Sequence, residues 1–483
     1  MTDSKNGIDN FTEEIRKALS GLEFEALTAV QQEVIPLVLA QKDVIVTAQT
    51  GSGKTAAFGI PVCEKIAVEQ KNPQVLVLAP TRELAVQIKQ DMANIGRFKK
   101  IRCAAVFGRY SMEAQKRELA QRVHVIVGTP GRTIDHINKA NIKLDEIRYL
   151  VIDEADKLLE MGFIEQVEAI INLLPAARTT LLFSATMPER IAVICSKYMR
   201  QPVRVEVAPA QPQDQRIRQS YCEVAEQEKL ELLHKLLFTI QPKNALLFCN
   251  TREKADAVAQ SLQKALLRCE SIHGGLEQRE RLQTMERFKR GEIRLLAATD
   301  VAARGVHVDE LELVVNIDFP LDKETYVHRI GRAGRNGNEG MAITFCSAQD
   351  SPALAALEDY LGYNIVRRDV PAAAEAAAGK VVYAASGSLR HEAKSASSGQ
   401  LNNGITRIRI SAGKKKKMRA GDIVGAVSQI VGISAADIGI IDIQETCSYV
   451  EIHSEKGNLV LAALPSTKIK GKIYSSKQVP CCK

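Results

Sequence analysis

The sequence lacks features that would place it in several other classes of protein. Its ten cysteines include no C-x-x-C pair, which argues against a zinc ribbon, and their scattered positions argue against a disulfide scaffold. We therefore expect reduced and mostly structural thiols. No window reaches the ~18 uninterrupted apolar residues of a membrane-spanning helix, and the polar start Met1–Asn10 contains no signal-peptide core. The chain is predicted to be soluble and cytoplasmic, without a membrane partner.

Positive charge is concentrated at one end of the chain. The 483 residues include 65 Lys and Arg against 57 Asp and Glu, a formal net charge of +8. Residues 404–483 hold 13 basic and 6 acidic side chains, so almost all of the excess lies there. Basic enrichment confined to one end is typical of a polyanion-binding module. The 45% hydrophobic content excludes a fully disordered chain.

Short apolar runs alternate with longer helical stretches, once before and once after the polar segment Pro209–Gln215. Each run is hydrophobic throughout, as expected of strands covered on both faces by helices. The predicted strands are Val44–Thr47, Val75–Leu78, Val123–Val127, Tyr149–Ile152, Thr180–Phe183, Ala245–Cys249, Ile293–Ala297, Leu313–Ile317 and Ala342–Cys346. The prediction is an α/β fold with two tandem parallel-sheet domains, at residues 1–208 and 213–370.

A third, smaller domain is predicted after a change in composition. Residues 371–403 are rich in Ala, Ser and Gly and are expected to form a flexible linker, with a short helix at PAAAEAAA. A small α+β domain resembling an RNA recognition module (RRM-like) follows at 404–473, with a tail at 474–483, because the pattern reads β-α-β-β-α-β. The expected elements are strand Ile405–Ile410, helix Ala420–Val431, strands Ile438–Ile443 and Tyr449–Ile452, helix Lys456–Leu464 and strand Thr467–Ile469.

Residues 48–55 read A-Q-T-G-S-G-K-T directly after the first predicted strand. The glycines allow backbone N–H groups to surround phosphate oxygens, and the lysine can reach the terminal phosphates. A chance loop is the alternative, and it arises in about a few per cent of chains of this length. The candidate nucleotide-binding residues here are Ala48, Gln49, Thr50, Gly51, Ser52, Gly53, Lys54 and Thr55.

Two acids follow the strand Tyr149–Ile152 directly. An acid at the carboxyl end of a buried strand, opposite a phosphate loop, can bind Mg²⁺ through water, and a neighbouring acid can orient or deprotonate the attacking water. Asp153 and Glu154 take these roles, with Thr55 as the second candidate Mg²⁺ ligand and Lys54 as a catalytic residue. A solvated acidic helix start is the alternative, and the phosphate loop makes it the weaker one.

Six motifs occur in a characteristic order along residues 80–335. They are P-T-R-E-L-A at 80–85, T-P-G-R at 129–132, D-E-A-D at 153–156, S-A-T at 184–186, A-T-D-V-A-A-R-G at 298–305 and H-R-I-G-R-A-G-R at 328–335. With these motifs the chain resembles the DEAD-box RNA helicases of superfamily 2 over about residues 11–350. The resemblance implies two RecA-like domains that use ATP and Mg²⁺ to separate the strands of short RNA duplexes.

The resemblance also implies roles around the nucleotide. Gln31 is similar to the family's adenine-reading glutamine, with Phe24 as the stacking partner and Phe11 as weaker support. Arg332 and Arg335 resemble arginine fingers that reach the γ-phosphate across the interdomain cleft, with His328 as a third catalytic candidate, and a basic surface loop is the alternative. Ser184 and Thr186 resemble the motif that couples nucleotide state to strand separation; they can also cap the next helix.

The RNA contacts implied by the resemblance combine backbone amides with arginines, which bind phosphates and do not read bases. The matching residues are Pro80, Thr81, Arg82, Gly108, Arg109, Thr129, Pro130, Gly131, Arg132, Gly275, Arg281, Thr299 and Arg304. We therefore expect the two helicase domains to bind RNA without sequence preference.

Three residues depart from the family pattern. Leu27 replaces the usual Pro, and Glu23 stands where relatives often have Gly, so we expect a looser turn and weaker ATP selectivity. His307 replaces the Asp that usually follows A-R-G-x, and we expect reduced coupling of RNA binding to hydrolysis. RNA-stimulated ATPase compared between the chain and His307→Asp tests this expectation.

The C-terminal segment resembles that of the DbpA branch of the family, over residues 405–425, 437–443 and 448–452. This implies an anchor for a 23S rRNA hairpin near the peptidyl-transferase centre, with a pre-50S particle as partner and a monomeric protein. Its candidate RNA-binding residues are Lys414, Lys415, Lys416, Lys417 and Arg419, and a solvated charge run is the alternative. An aromatic RNP1 signature is absent, so loops and shape, not base stacking on the sheet, are the expected mode.

Two other functions stay open at this point. An RNA-binding clamp or chaperone with weak, incidental ATPase activity is the main alternative, and Lys54→Ala separates it from a helicase, since a clamp keeps its RNA effect. A related superfamily 2 enzyme acting on DNA is the other, and paired RNA and DNA duplexes separate it.

Overall fold

The structure, a computed structural model, describes residues 7–48, 52–207, 217–303, 311–334, 339–386 and 405–479. Two seven-stranded parallel sheets and one four-stranded antiparallel sheet organise these residues. The predicted α/β fold class, with two tandem parallel-sheet domains followed by a small α+β domain, is confirmed. Within the described ranges no helix is both long and apolar enough to cross a membrane. The eight cysteines in these ranges are free thiols, and all but Cys103 are buried.

The first domain consists of a parallel sheet between two layers of helices. Its strands are β1 Val44–Thr47, β2 Val75–Leu78, β3 Cys103–Val106, β4 Val125–Gly128, β5 Tyr149–Ile152, β6 Thr179–Ser184 and β7 Val203–Glu206. Its helices are α1 Glu13–Gly21, α2 Ala29–Leu39, α3 Lys54–Lys65, α4 Arg82–Ile95, α5 Met112–Leu119, α6 Pro130–Asn138, α7 Ala155–Glu160, α8 Ile164–Leu173 and α9 Glu189–Tyr198, with a 3₁₀ turn at Gly7–Asn10. The strand order is β3-β4-β2-β5-β6-β1-β7.

Burial on both faces explains why the central strands read as continuous apolar runs. Every residue of β2 and β5 is buried, and alternate side chains enter one core on each face of the sheet. The phosphate loop follows β1, and the two acids follow β5. Both therefore lie at the carboxyl edge of the sheet, where α/β proteins bind their ligands.

The second domain repeats this architecture. Its strands are β8 Ile217–Glu223, β9 Ala245–Phe248, β10 Cys269–Ile272, β11 Leu295–Ala298, β12 Leu313–Asn316, β13 Gly340–Cys346 and β14 Val366–Arg367, in the order β10-β11-β9-β12-β13-β8-β14. Its helices are α10 Lys229–Ile240, α11 Arg252–Lys264, α12 Gln278–Lys289, α13 Asp300–Ala303, α14 Lys323–Ile330, α15 Ser351–Leu361 and α16 Ala373–Ser386, with 3₁₀ turns at Glu226–Glu228 and Ala348–Asp350.

Helix α16 lies in the segment for which the composition predicts a linker with a short helix. It packs on α10 at Gly379, where a Cβ atom would lie only 2.1 Å from the carbonyl oxygen of Phe238. Gln241 donates a hydrogen bond of 2.9 Å to the Gly379 carbonyl. The helix is thus held on the second domain; residues 387–404 of the predicted linker lie outside the described residues.

The C-terminal domain has four strands and two helices. They are β15 Thr406–Ile410, α17 Ala420–Val427, β16 Ile438–Ile443, β17 Ser448–Ile452, α18 Gly457–Ala463 and β18 Ser476–Val479, with 3₁₀ turns at Lys414–Lys416 and Ala435–Asp437. The antiparallel order β16-β17-β15-β18 places the first and third strands at the centre. Ile408, Val450, Ile423 and Val460 are completely buried between the sheet and its helices.

One predicted strand of this domain is wrong. The sequence favours a last strand at Thr467–Ile469, but only an isolated bridge joins Ile469 to Lys472, and β18 begins at Ser476. The sheet therefore extends into residues that the sequence analysis assigns to the tail. Three of the four β18 residues are charged or polar, and the strand lies at the sheet edge, so it carries little apolar signal.

Candidate functional site

The phosphate loop lies between β1 and α3, as its sequence predicts. Gly53 precedes α3 with φ 88°, a left-handed conformation that favours glycine. The buried ammonium group of Lys54 donates a hydrogen bond of 2.9 Å to the carbonyl of Ala48. Lys54 therefore folds back over the loop, from which it can turn towards a terminal phosphate. Gln49, Thr50 and Gly51 lie outside the described residues.

Gln31 connects the α2 turn to the phosphate loop. Its Oε1 atom accepts a hydrogen bond of 2.9 Å from the Thr28 N–H, and its Nε2 atom donates one of 3.3 Å to the Gly53 carbonyl. The Thr28 hydroxyl donates to the Ser52 carbonyl at 3.0 Å. The candidate adenine-reading amide is thus fixed beside the loop that would hold the phosphates. Phe24 is half-buried against the core next to it.

The two departures in this turn have different structural settings. Glu23 has φ 60°, the left-handed region in which an L residue is strained and glycine is not. Leu27 packs against the same core as Phe24, and its carbonyl accepts a hydrogen bond from Gln32. The turn has no proline, but the packing of Phe24 and Leu27 on the core and the hydrogen bond from Gln32 fix it.

Asp153 and Glu154 lie side by side at the end of β5, and both are nearly fully buried. The Asp153 carboxylate accepts a hydrogen bond of 2.9 Å from the Glu154 N–H, and Lys157 donates one of 2.6 Å to Glu154. Glu154 itself has φ 49°, so the backbone is strained at the candidate catalytic acid.

Their surroundings shift the two carboxyl groups in opposite directions. Burial raises the pKa of Asp153 to about 6, and the nearby Lys54 ammonium group opposes this shift. Burial also acts on Glu154, but Lys157, Arg332 and Lys54 outweigh it and hold its pKa below the usual range. Glu154 is therefore ionised at neutral pH, as a proton acceptor must be.

The oxygen groups at this edge of the sheet suit Mg²⁺. A carboxylate on Asp153 and a hydroxyl on Thr55 are the hard ligands that Mg²⁺ takes, usually together with several waters. Among the residues that the structure describes, no cluster of three or more His, Cys, Asp or Glu side chains could hold a metal ion. The Asp153 carboxylate and the Thr55 hydroxyl fit an ion that would take its other ligands from water and the substrate phosphates.

Ser184 and Thr186 both contact the last acid of the D-E-A-D motif. The Ser184 hydroxyl accepts a hydrogen bond of 3.1 Å from the Asp156 N–H. The Asp156 carboxylate accepts bonds from the N–H and hydroxyl of Thr186, at 2.9 and 3.2 Å. The alternative role, capping of the next helix, is wrong, because Pro188 occupies the N-cap of α9. These contacts suit a coupling role.

Arg332 is a second-domain residue whose charge acts on Glu154. Its buried guanidinium lowers the pKa of Glu154 and of Lys157 across the interdomain cleft. His328 is exposed and lines a pocket of the second domain together with Arg332. Arg335, the second candidate finger, lies outside the described residues.

Arg329, three residues before Arg332, has a purely internal setting. It forms two bonds to the Asp300 carboxylate, of 2.6 and 2.7 Å, and donates to Asn250 at 2.7 Å. Its side chain is 1% exposed and stacks over the Phe248 ring. Arg329 and Asp300 were not predicted as site residues, although they lie in the motifs at 328–335 and 298–305.

The RNA candidates of the first domain converge at one end of the cleft. Thr81 caps α4 through a hydrogen bond from the Leu84 N–H. Burial lowers the pKa of Arg82, Glu83 opposes this, and the charges of Arg109, Arg281 and Arg132 lower it further. Four predicted RNA-binding arginines from two domains are therefore close enough to repel one another, as a phosphate-binding surface requires.

The remaining predicted residues of this surface occupy loop and helix starts. Pro80 is buried before α4, Gly108 lies beside the Arg82 guanidinium, and Arg109 has φ 53°. Thr129 is the N-cap residue of α6, where Pro130 and Gly131 form the first turn. Arg132 donates to the Tyr110 carbonyl and to Gln115, at 2.9 and 3.0 Å.

Second-domain candidates face this surface across the cleft. Arg281 contacts Glu83 at 3.0 Å, and Arg109 donates to the Gly274 carbonyl at 3.3 Å, next to the exposed Gly275. Thr299 is buried immediately before α13. Arg304 and His307 lie outside the described residues.

Glu83 and Gln278 are cleft residues that no sequence motif predicted. The Gln278 amide donates to Glu83 at 3.0 Å and accepts from Arg82 at 2.9 Å, and both residues are buried. Glu83 lies inside the P-T-R-E-L-A motif at 80–85. Because an acidic side chain repels phosphates, it was not expected at an RNA-binding surface.

The predicted anchor residues lie on a separate surface. Lys414, Lys415 and Lys416 form the 3₁₀ turn between β15 and α17, and Lys417 follows with φ 55°. All four lysines are exposed, and so is Arg419, the N-cap residue of α17. Backbone bonds from Lys414 and Lys415 to the Gln444 and Glu445 carbonyls fix the turn. The charges therefore lie on a loop whose backbone is fixed, and their RNA-binding role stays a prediction beside the alternative of a solvated charge run.

Family models match three parts of the chain. Residues 28–194 match the DEAD/DEAH box helicase model, 228–337 match the helicase conserved C-terminal domain, and 407–476 match the DbpA RNA binding domain.

Curated proteins and solved structures give the same result. The chain is 49% identical to the ATP-dependent RNA helicase DbpA of Bacillus subtilis, over 95% of this chain and 96% of that one. It is 38% identical to DbpA of Escherichia coli, over 94% of each chain. The structure of S. cerevisiae Dbp5 bound to RNA and ADP-BeF3 matches with a TM-score of 0.69 and 28% identity, over 79% of this chain and 99% of that one.

Proposed function

Because the chain belongs to the DEAD-box ATP-dependent RNA helicases and ends in a DbpA RNA binding domain, we propose that it unwinds short RNA duplexes during assembly of the large ribosomal subunit. The C-terminal domain binds a hairpin of 23S rRNA near the peptidyl-transferase centre, and the helicase domains act on nearby duplexes of the pre-50S particle. The protein works in the cytoplasm as a monomer.

The observation that carries this proposal is the separation of two RNA surfaces. The cleft surface around Arg82, Arg109 and Arg281 offers guanidinium and backbone groups, which bind phosphates of any sequence. The lysine turn Lys414–Lys416 belongs to a different domain and is exposed. An unspecific motor with a separate anchor suits an enzyme that acts at one place in a large RNA.

The cleft geometry supports ATP-driven strand separation. Lys54 would neutralise the terminal phosphates, Glu154 would accept a proton from the attacking water, and Arg332 would stabilise the charge that develops across the cleft. Thr55 and Asp153 would hold Mg²⁺, which would offset the phosphate charge when bound. Since Arg332 comes from the second domain, hydrolysis requires closure, and Ser184 and Thr186 would transmit that closure to the RNA surface through Asp156.

ATPase stimulation tests the anchor. We expect 23S rRNA fragments that contain the peptidyl-transferase hairpin to stimulate the intact chain at lower concentration than unrelated RNA of equal length. A variant with Lys414–Lys417 changed to Ala should lose this preference and keep its maximal rate with excess RNA. Equal stimulation of the intact chain by both RNAs would overturn the anchor role.

Strand separation tests the motor. Lys54→Ala should abolish ATP-dependent unwinding and leave RNA binding intact. Unwinding that survives in Lys54→Ala would favour an RNA chaperone. Sucrose-gradient profiles of cells without the protein should show a large-subunit precursor, and normal profiles would argue against a role in assembly.

A further inference from the structure

The C-terminal sheet has one face without helices, and that face contacts the first helicase domain. Along β17, Val450 and Ile452 point into the core, so Tyr449 and Glu451 point outward. Asp442 of β16 pairs with Tyr449 and lies on the same face, and His453 continues it beyond β17. We call Asp442, Tyr449, Glu451 and His453 the docking face.

Two direct contacts join the docking face to the segment that follows α4. The Arg97 guanidinium lies 3.4 Å from the Glu451 carboxylate, with side chains only 9% and 12% exposed. The Phe98 and His453 rings meet edge to face, with centroids 5.4 Å apart and planes at 75°. These partners are more than 350 residues apart in the sequence.

Charge is complementary across this contact. The first domain contributes Arg97, Lys100 and Arg102, and the docking face contributes Asp442 and Glu451. Burial lowers the pKa of Arg102, and both carboxylates oppose that shift. One oxygen each of Asp442 and Glu451 is buried without a hydrogen-bond partner among the described residues. Desolvated carboxylates of this kind need nearby cations, and the end of α4 supplies them.

The Tyr449 ring is also covered. The Arg407 guanidinium lies over it, 4.7 Å from the ring centroid. Tyr449 is an aromatic residue on a central strand of this sheet. Because the Arg407 guanidinium lies over its ring, an RNA base cannot stack on that side of the ring. On β15 the outward face also holds Arg407 and Arg409, opposite Glu451 and Tyr449, so acids, arginines and a covered aromatic ring share this face.

The contact leaves both RNA surfaces open. Helix α4 begins beside the cleft at Arg82 and runs about 20 Å, at about 1.5 Å per residue, to the opposite edge of the sheet. Glu451 pairs with Arg407 near the start of β15, whereas the lysine turn follows the other end of that strand. Docking therefore covers neither the cleft nor the lysines.

We propose that the docking face is an intramolecular interaction surface that holds the C-terminal domain on the basic end of α4, so that anchor and motor form one body. The helix that precedes the C-terminal domain, α16, packs on the second domain. The contact with the first domain is therefore not a consequence of where α16 lies. Docking does not depend on which RNA the C-terminal domain binds. An experiment that contradicts docking would therefore leave the proposed function unaffected, and the reverse also holds.

Energy transfer within the full chain tests docking. Fluorophores attached through unnatural amino acids at the exposed positions Lys116 and Lys468 report on the distance between the two domains. We expect one high-transfer population, and a rise of about tenfold or more in the low-transfer population for Glu451→Arg and for Arg97→Glu, because each leaves buried like charges together. The combined exchange Arg97→Glu with Glu451→Arg should restore docking.

A matched control and a folding check make the result decisive. Glu455→Arg makes the same charge change at an exposed position of the same domain and should leave transfer unchanged. Circular dichroism should show all variants folded. A broad transfer distribution in the unmodified chain would overturn the proposal, and so would single variants that behave like the Glu455→Arg control. If RNA alone orders the domains, transfer will rise only when 23S rRNA fragments are added, which also contradicts docking.

Discussion

Glu83 of the first helicase domain and Arg281 of the second lie 3.0 Å apart across the cleft, and both are buried. The acid therefore holds an arginine that the motif pattern assigns to RNA. Glu83 is thus the acidic partner of Arg281, and a phosphate that binds Arg281 would compete with it.

Glu83→Ala should weaken contact between the two domains mainly when RNA is absent. Its removal leaves Arg281 and Gln278 without their shared acceptor, and an uncompensated buried charge is costly. We expect RNA-free ATPase activity to fall about tenfold or more and activity at saturating RNA to change little. Glu113→Ala, at an exposed site of the same domain, is the control. An equal loss with and without RNA would contradict competition.

Arg332→Ala should abolish catalysis. A charge supplied across the cleft to the transition state is worth about 10³ to 10⁵ in rate. The expected result is a fall of that size in kcat for RNA-stimulated ATPase, with RNA affinity preserved. If the fall in kcat is less than about tenfold, Arg332 is not the finger.

Arg329→Ala, three positions away, should act on stability. It removes the ion-pair partner of the Asp300 carboxylate, which is 23% exposed, and three further hydrogen-bonding or stacking contacts. Loss of one partner of a fully buried ion pair costs about 3–5 kcal/mol, which is an upper value for this partly exposed pair. Calorimetry should show a lower Tm for the second domain in Arg329→Ala than in Arg279→Ala, a control at an exposed position of the same domain; equal Tm values would contradict the assignment.

Glu23→Gly should stabilise the first domain slightly. The left-handed backbone at Glu23 costs about 1–2 kcal/mol for an L residue, and the extra freedom of glycine in the unfolded chain returns about 0.5–1 kcal/mol of that. We expect a net gain of up to about 1 kcal/mol in the free energy of unfolding. Glu25→Gly, at a neighbouring position without positive φ, should be destabilising. Destabilisation by both changes would show that Glu23 is not strained.

Docking of the C-terminal domain should weaken in acid. Burial lowers the pKa of His453 to about 4, the charges of Arg97, Lys100 and Lys17 contribute, and Asp437 opposes them. A free histidine titrates near 6.5, so the undocked domain takes up its proton first. Docking should be strongest above about pH 6.5 and decline as the pH falls towards 4. Energy transfer should follow this decline in the intact chain and stay flat in His453→Gln; equal pH dependence in both would exclude His453 as the cause.

The sequence predicted elements best where burial is complete. Tyr149–Ile152 and Val75–Leu78 are apolar throughout, and the structure has strands with the same limits. Cys269–Ile272 and Cys103–Val106 were missed because small or polar residues interrupt the apolar signal. The last strand was misplaced for the same reason.

Local motifs identified single site residues, and contacts between distant residues gave no signal. Lys54, Asp153 and Arg332 could be found because each lies in a recognisable pattern next to a strand or helix. Glu83 meets Arg281, and Arg97 meets Glu451, only after three domains have folded and packed. A periodicity or spacing argument cannot reach across such separations.

The docked position of the lysine turn has a consequence for how RNA is chosen. If anchor and cleft keep a constant separation, the protein measures length along an RNA instead of reading its bases. A duplex would be opened because it lies one molecular span from the bound hairpin, and an identical duplex placed closer or farther would be passed over. The ion pair between Arg97 and Glu451 would then set the distance between the bound hairpin and the duplex that is opened.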